Sequence, residues 1–270
     1  MVMSTDTSTS AFDRLEHNAK ALGIDFSSQE FATLASTKDY TSDQIQAIVD
    51  VFSTVEQKKH ETVINTILKM SRLPLKVPKT FDNFNFDRLH GKDAATVKAL
   101  VNLSEVHAGK NLALIGPPGV GKTHLAEAYG RACCMEGMKT YFLKATELNE
   151  KFIASRKASR EASLMNSLVK PTCLIIDEIG RCTFDAASTR MFFDLLDRRY
   201  MKEGPKCIIF TSNKQPSLWS EFFESTDDLA AALDRAFDEA VIINFKGTSY
   251  RGQQREILSV GAGEAEPIQN

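Results

Sequence analysis

Eight residues from Gly116 to Thr123, GPPGVGKT, have the types and spacing that hold a phosphate group. Their glycines allow the backbone to curl, so that several N–H groups point toward one anion. A lysine can reach the outer phosphates of a nucleotide, and the hydroxyl after it suits Mg²⁺. The stretch therefore predicts an ATP site made of Gly116, Pro117, Pro118, Gly119, Val120, Gly121, Lys122, Thr123 and His124. Lys122 and Thr123 carry the predicted chemistry, whereas packing or capping is the favoured role of His124.

A pair of acids follows an apolar run in LIIDE, residues 174–178. A strand with this ending places carboxylates at the carboxyl edge of a parallel sheet, beside the phosphate loop. Asp177 is predicted to bind Mg²⁺ through its water shell. Glu178 is predicted to orient and polarise an attacking water. The pair favours hydrolysis over transfer of the phosphoryl group to another small molecule.

The apolar run CIIFTS (207–212) is followed by Asn213. A polar side chain at this strand end can contact the γ-phosphate or the attacking water. Asn213 is therefore the predicted γ-phosphate sensor. The three stretches together predict an ATPase whose catalytic residues include Glu178, Lys122 and Asn213.

Strands and helices that position these residues alternate along the chain. Apolar runs predict strands within the segments 111–116, 139–145, 172–177 and 207–212, and VIINF (241–245) predicts a further buried strand. Helical stretches lie between them, notably 185–202, and residues 92–106 predict a helix before the first strand. This alternation predicts an α/β fold with a mostly parallel sheet.

The N-terminal part of the sequence has a different pattern. Residues 1–10 are polar and predict a disordered leader, whereas 11–72 predict a helical domain for contact with a partner or DNA. One apolar stripe at helical spacing in this domain consists of Ile45, Ile48, Val49, Phe52 and Val55. Prolines predict a linker at 73–80. The ATPase domain is expected at 81–258, and a flexible tail at 259–270.

Composition narrows the class of protein. The 270 residues have a net charge of −2, so any contact with DNA must come from local patches. The five cysteines have no metal-binding spacing and predict small buried hydrophobes in a reducing compartment. The sequence has no apolar signal segment and no run of membrane-spanning length, so we expect a cytoplasmic protein without membrane contact.

In this set and order of motifs, the sequence resembles the AAA+ ATPases. Among them it is similar to the IstB-like helper ATPases of insertion sequences, close relatives of the DnaC-type helicase loaders. The resemblance spans roughly residues 40–255 and is most specific in GKTHLA (121–126) and in ALDR and SYR at the two ends of 232–251. It implies a P-loop AAA+ core with a five-stranded sheet flanked by helices, preceded by a small all-α region.

The resemblance gives roles to two arginines. Arg235 resembles the finger that such ATPases donate in trans to a neighbouring subunit's ATP, and Arg251 resembles the arginine over the γ-phosphate of its own subunit. A permanent charge and a planar fork suit both roles. A finger in trans implies a homo-oligomer with ATP at its interfaces. Arg198 and Arg199 are competing fingers, although their helical setting favours a structural ion pair.

Two runs without acidic residues suit a DNA backbone, without sequence preference. The favoured run, 151–160, lies where related assemblies have their central channel, and its basic residues are Lys151, Arg156, Lys157 and Arg160. The second run, 68–79, has Lys69, Arg72, Lys76 and Lys79. A solvated helix face is the alternative for each run.

The resemblance implies a transposition helper that assembles on DNA, hydrolyses ATP to ADP and phosphate, and recruits or activates a transposase. A DnaC-like loader of a replicative helicase is the alternative in the same group. An ATP-gated scaffold with little hydrolysis is the third hypothesis. The short helical N-terminal region favours the transposition helper, and the complete set of Lys122, Asp177, Glu178 and Asn213 favours hydrolysis.

Overall fold

A parallel sheet forms the centre of the protein. The computed structural model describes residues 10–91, 93–224, 229–247 and 249. Within these ranges the five strands are β1 (Leu112–Ile115), β2 (Thr140–Lys144), β3 (Cys173–Ile179), β4 (Cys207–Ser212) and β5 (Val241–Asn244), in the spatial order β2-β3-β4-β1-β5. All four pairings between these strands are parallel, which confirms the predicted mostly parallel sheet. The carboxyl ends of the strands therefore meet at one edge.

Helices cover both faces of the sheet. They are α4 (Ala94–Ala99), α5 (Ser104–His107), α6 (Lys122–Met135), α7 (Ala145–Lys157), α8 (Glu161–Val169), α9 (Ala186–Met201) and α10 (Leu229–Phe237), after three N-terminal helices described below. On β4, Ile208 and Phe210 belong to the core on one face, and Cys207 and Ile209 to the core on the other. Among the described helices, none is long and apolar enough to span a membrane.

The N-terminal helices are α1 (Ala11–Leu22), α2 (Ser28–Thr37) and α3 (Ser42–Met70), and each begins with a capping box. They form a small core of their own, whose buried residues are Leu15, Ala19, Phe31 and Val49. Of the predicted stripe on α3, Val49 is buried but Val55 is 47% exposed. The stripe therefore covers a shorter part of the helix than its spacing predicts.

The end of α3 packs on the sheet. Ile67 belongs to the core on the face that α6 covers, and Leu68 packs against it. The carbonyl oxygen of Ser71, just after the helix, accepts a hydrogen bond from the N–H of Phe142 in β2 at 2.8 Å. One continuous helix thus connects the N-terminal core to the edge of the sheet. The following residues, 71–80, contain neither helix nor strand.

The single helix predicted over residues 92–106 is wrong. The structure has α4, a 3₁₀ turn at Leu100–Asn102 and then the short α5. Leu103 has φ +55°, and this left-handed residue changes the direction of the chain between the turn and α5. The change of direction leaves Leu100, Leu103 and Val106 buried in one core.

The prediction that VIINF is a buried strand is also wrong in part. β5 pairs with β1 and lies at the edge of the sheet, where Ile242 is 44% exposed. Phe245, just after the strand, is 7% exposed and joins the core. An apolar run therefore predicted the strand, but the spatial order of the strands decides how far each one is buried.

The cysteines are packing residues. All five are free, and Cys133, Cys134, Cys173 and Cys207 are buried, which confirms the predicted small hydrophobes for these four. Cys182 is half-buried.

Candidate functional site

The GPPGVGKT segment connects the end of β1 to the start of α6. Gly116 has φ +148° and Gly119 has φ +79°, conformations that glycine adopts readily. A methyl group at Gly116 would also overlap the backbone of Phe245, so the position requires a residue without a side chain. Because α6 begins at Lys122, its unpaired first N–H groups and its dipole face the loop. This is the strand–loop–helix arrangement that binds phosphates.

Lys122 is the centre of the polar contacts in this loop. Its Nζ donates to the carbonyl oxygens of Gly116 and Pro117, each at 2.7 Å, and to Oδ1 of Asn213 at 2.9 Å. Lys122 is only 7% exposed, and a buried ammonium group requires such acceptors. The contact with Asn213 brings two stretches that the sequence predicted separately into one site.

Asp177 accepts hydrogen bonds from two hydroxyl groups. Oγ1 of Thr123 donates to its Oδ1 at 2.8 Å, and Oγ1 of Thr211 donates to the same oxygen at 2.6 Å. Asp177 is 2% exposed, and its burial raises the pKa of the carboxyl group although both hydrogen bonds lower it. These contacts of Thr211 were not predicted. The available signal was a hydroxyl near the end of an apolar strand that leads to the predicted sensor.

Asp177 and Glu178 lie in a β-bulge, because the register between β3 and β4 shifts between Ile176 and Ile179. Glu178 has φ +61°, a strained conformation for a residue with a side chain. Its N–H donates to Oγ1 of Thr211 at 2.9 Å, so Thr211 contacts both acids. Consecutive side chains of a regular strand point to opposite faces, and a bulge changes the direction of the second. The bulge therefore sets the direction of the predicted catalytic glutamate.

Two basic side chains contact the carboxylate of Glu178. Nη2 of Arg181 lies 3.1 Å from Oε1, and Nζ of Lys144 lies 3.5 Å from Oε2. Lys144 is the last residue of β2, so the second ion pair joins two neighbouring strand ends. Lys144 was not predicted, because nothing in the local sequence around Glu178 indicates which strand end lies next to it. Arg181, three residues after Glu178, was not predicted either.

A further carboxylate, Glu127, lies on α6 one turn after Thr123 and is 8% exposed. Burial, and secondly the negative charge of Asp177, raise the pKa of Glu127 to about 7, whereas Lys79 lowers it. The sequence gives no signal for this residue, because a single glutamate in a helix is usually solvated.

His124 packs against the segment before α4. Its Nε2 lies 2.7 Å from Oδ1 of Asn83 and 3.3 Å from the carbonyl oxygen of Thr80, and its ring meets that of Phe84 edge to face. Burial lowers the pKa of His124. These contacts are those of a packing residue, so His124 connects this segment to the helix after the loop.

Arg235 lies near the amino ends of the strands, whereas the phosphate loop lies at their carboxyl ends. It is in the last turn of α10, which leads into the amino end of β5. Nδ2 of Asn111, the residue before β1, donates to the carbonyl oxygen of Ala236 at 2.7 Å. The four residues of β1, about 13 Å of extended chain, separate Asn111 from the loop. Arg235 therefore does not reach the phosphate site of its own subunit.

Arg251 lies outside the described residues. The described residue nearest to it in the sequence is Ser249. The side chain of Ser249 lies so close to Gly119 that a methyl group at Gly119 would overlap it. In addition, the N–H of Phe245 donates to the carbonyl oxygen of Ile115 at 2.7 Å. The chain after β5 therefore returns to the phosphate loop.

The two arginines of DRRY have structural contacts. Arg198 pairs with Asp194 of the same helix at 2.8 Å. Arg199 is 2% exposed, and its guanidinium donates to five carbonyl oxygens, those of Leu168, Val169, Pro171, Thr172 and Cys207. Burial lowers the pKa of Arg199 to about 10. A buried side chain cannot reach a neighbouring subunit, so Arg199 is not a finger.

The structure separates the members of the two basic runs. Arg156 makes two hydrogen bonds to Asp185, at 2.9 and 2.8 Å, and Arg72 pairs with Glu147 at 3.1 Å. Both of these arginines therefore have acidic partners within the protein. The remaining candidates differ in exposure: Lys157, Arg160, Lys69 and Lys76 are exposed, whereas Lys151 and Lys79 are half-buried.

Thr123 and Asp177 fit a Mg²⁺ ion. A hydroxyl and a carboxylate are the hard oxygen donors that this ion takes, and here they lie 2.8 Å apart beside a phosphate loop. A bound Mg²⁺ would neutralise phosphate charge at this position.

These features define a class of protein. A phosphate loop after β1, two acids at the end of β3 and an asparagine after β4, on a parallel sheet of this order, define an ATP-binding protein with the AAA+ fold. The chain belongs to the family of IstB-like ATP binding proteins, whose sequence model matches residues 17–257.

Similar proteins from insertion sequences support this family assignment. Over 203 residues the chain is 37% identical to a protein of insertion sequence IS5376 in Geobacillus stearothermophilus that is named for ATP binding; the match covers 74% of this chain and 78% of the relative. A protein of insertion sequence IS21 in Pseudomonas aeruginosa, also named for ATP binding, is 34% identical over 210 residues, with 78% and 77% covered.

The solved structure of AMPPCP-bound DnaA from Aquifex aeolicus shares the fold. Its TM-score is 0.52 at 21% identity, and the match covers 65% of this chain and 51% of that chain.

Proposed function

We propose that this protein is a transposition ATPase, which assembles on DNA, hydrolyses ATP to ADP and phosphate, and recruits or activates a transposase in the cytoplasm. The observation that carries the proposal is the pair of contacts Lys122–Asn213 and Thr123–Asp177, at 2.9 and 2.8 Å. They bring the loop and two strand ends together as hydrolysis requires. Because the relatives are named for insertion sequences, a transposase is favoured as the partner over a replicative helicase.

Hydrolysis forms a bond from the water oxygen to the γ-phosphorus and breaks the bond to the oxygen bridging the β- and γ-phosphates. Glu178 orients the water and accepts its proton, and must leave Arg181 and Lys144 to do so. Lys122 exchanges its contacts with Gly116 and Pro117 for phosphate oxygens. Asn213 contacts the γ-phosphate beside Lys122, and Thr123 and Asp177 would hold Mg²⁺.

Complete hydrolysis in this proposal needs a second subunit. Arg235 lies far from its own phosphate loop and half its side chain is exposed, which supports a role as a finger in trans. Arg251 would contact the γ-phosphate in cis, and the path of the chain past Gly119 at Ser249 supports that assignment. A homo-oligomer with ATP at its interfaces follows from these two roles.

The proposed DNA contact is the groove between α7 and α8. Lys151 and Arg160 line this groove, which has a volume of about 360 Å³, and Lys157 is exposed at the end of α7. Arg156 is left out because Asp185 holds it. The contacts are to phosphates, without sequence preference.

Turnover and ATP binding of Glu178→Gln test the reaction. The variant should bind ATP with the wild-type Kd and lose at least about 100-fold in kcat, because the water loses its base. Glu136→Gln, at an exposed glutamate after α6, is the matched control and should have wild-type kcat. Full turnover of Glu178→Gln, or no turnover of the wild type, would contradict the proposal.

The salt dependence of DNA binding tests the groove. The triple variant Lys151→Gln, Lys157→Gln, Arg160→Gln should reduce the slope of log K against log salt by about 2 to 3 for double-stranded DNA. Lys69→Gln with Lys76→Gln changes two exposed lysines of the other run and should leave the slope unchanged. The opposite pattern would move the contact to residues 68–79.

A further inference from the structure

Asp197, the first residue of DRRY, contacts the proposed finger. Oδ1 of Asp197 on α9 accepts a hydrogen bond from Nη1 of Arg235 on α10 at 2.6 Å. We propose that Asp197 is a positioning residue, which orients the guanidinium of Arg235 toward the ATP of a neighbouring subunit. The inference rests on the proposed role of Arg235 in trans.

The geometry of the pair leaves the guanidinium available. The hydrogen bond to Asp197 uses Nη1, and an arginine has five N–H donors in a fixed fork. The remaining edge of the fork can meet phosphate oxygens while Nη1 stays on Asp197. The side chains of Arg235 and Asp197 are 50% and 45% exposed, so an incoming subunit can reach them. Ion pairs of this exposure are weak, and the contact therefore orients the arginine without trapping it.

The neighbouring arginines show what is particular to this pair. Arg198 pairs with Asp194 four residues earlier in the same helix, and Arg199 is buried. The pair of Asp197 and Arg235 instead joins two helices, and Arg235 is the partner on the element that leads into β5.

The surface beside the pair is concave. Arg235 lines a cavity of about 410 Å³ at the amino edge of the sheet, together with Lys110, Tyr200 and Lys206. Lys110 lies 3.8 Å from Glu239, and Lys206 donates to the carbonyl oxygen of Tyr200. A second copy of this chain that presents its nucleotide here would meet Arg235 at the border of a recess. A preferred direction of the Arg235 side chain reduces the number of rotamers that it samples before it meets the phosphate.

The test compares kcat and KM for ATP, under assembly conditions, in Asp197→Ala, Asp197→Asn and Asp194→Ala. Asp197→Ala should lower kcat about tenfold with KM unchanged, because a guanidinium of Arg235 in the wrong direction slows hydrolysis more than it weakens ATP binding. Asp197→Asn keeps the acceptor oxygen and should recover kcat to within about threefold. Asp194→Ala is the matched control, because its ion pair with Arg198 has the same exposures, 50% and 45%. It should retain wild-type kcat.

A second comparison shows whether Asp197 acts through Arg235. In the Arg235→Ala background, Asp197→Ala should lower kcat no further. Wild-type kcat in Asp197→Ala, or a further loss in that background, would overturn the inference. If Asp197→Ala unfolds, the kcat of the isosteric Asp197→Asn decides: a loss as large as that of Arg235→Ala would overturn it.

The kinetic comparisons distinguish a failure of the positioning role of Asp197 from a failure of the proposed function. ATP turnover that depends on Glu178, with Asp197→Ala unaffected, would overturn the positioning role alone. Wild-type kcat in Arg235→Ala would remove both the finger and its positioning residue.

Discussion

Lys122 and Asn213 contact each other directly, with Nζ donating to Oδ1 at 2.9 Å across 91 residues of sequence. This contact joins the phosphate loop to the end of β4. An ATP γ-phosphate bound beside this pair would contact both a cationic donor and an amide.

Removal of the amide should therefore affect the chemical step. Asn213→Ala should lower kcat about 100-fold, and the Kd for ATP should stay within about threefold of wild type, because the amide acts mainly on charge that develops at the γ-phosphate. Asn244→Ala is the matched control, since Asn244 ends the edge strand β5 and its Oδ1 accepts a hydrogen bond from Nε2 of Gln215. Steady-state ATPase assays and nucleotide titration distinguish the two effects. Equal kcat in both variants would remove Asn213 from the site.

Thr211 should contribute to stability as well as to the site. Thr211→Val keeps the shape but leaves Oδ1 of Asp177 without one donor and the N–H of Glu178 without its acceptor. We expect urea denaturation to show a loss of about 1–3 kcal/mol in the free energy of unfolding. Thr211→Ser keeps the hydroxyl and should lose less. A Val variant as stable as the Ser variant would show that the hydroxyl bonds are unimportant.

Glu127 should make stability depend on pH. The pKa of its carboxyl group is raised from 4.5 to about 7 in the folded protein. A raised pKa means that the folded state holds the proton more tightly, so this contribution to stability is complete below pH 4.5 and is lost as pH rises through about 7.

Glu127→Gln remains neutral and isolates this effect. Relative to this variant, wild type should lose about 1–2 kcal/mol between pH 5 and pH 8, with screening by water included. Urea denaturation at several pH values measures the difference, and Glu136→Gln at an exposed position should behave as wild type. Parallel pH profiles for wild type and Glu127→Gln would contradict the raised pKa.

Arg199 should be a major source of stability. Arg199→Ala removes one donor from each of five carbonyl oxygens at the ends of α8, β3 and β4. The oxygens of Pro171 and Thr172 keep a second donor, from Lys202 Nζ and the N–H of Cys207, but the free energy of unfolding should still fall by at least about 3 kcal/mol. Arg198→Ala removes a surface ion pair of the same helix and should cost less than about 1 kcal/mol. Similar losses of stability in Arg199→Ala and Arg198→Ala, measured by thermal or urea denaturation, would contradict this role of Arg199.

Much of the fold was predictable because the pattern is local. The apolar run of β4 predicted its residues, 207–212, and the glycines at 116, 119 and 121 predicted the loop before α6. The burial of β5 was not predictable, because it depends on which strands are neighbours in space. Leu103 likewise ends a helical pattern through its φ of +55°, which its residue type does not indicate.

The candidate site was predictable where a residue has its role within a short motif. Lys122, Thr123, Asp177 and Asn213 lie together as their motifs predict. A hydroxyl near a strand end marked Thr211, but its contacts with both acids depend on the β-bulge, and the contact of Lys144 with Glu178 depends on tertiary pairing. The same reason explains Arg156, whose partner Asp185 lies 29 residues later.

Mixing two inactive variants tests most directly that ATP is hydrolysed between subunits. Arg235→Ala should bind ATP but lack the finger, and Lys122→Ala should lack the lysine of its own site but supply Arg235. Each alone should have little turnover, whereas an equal mixture should recover about a quarter of the wild-type rate, since one interface in four pairs an intact loop with an intact finger. A mixture as inactive as its components, at concentrations where they assemble, would contradict the account.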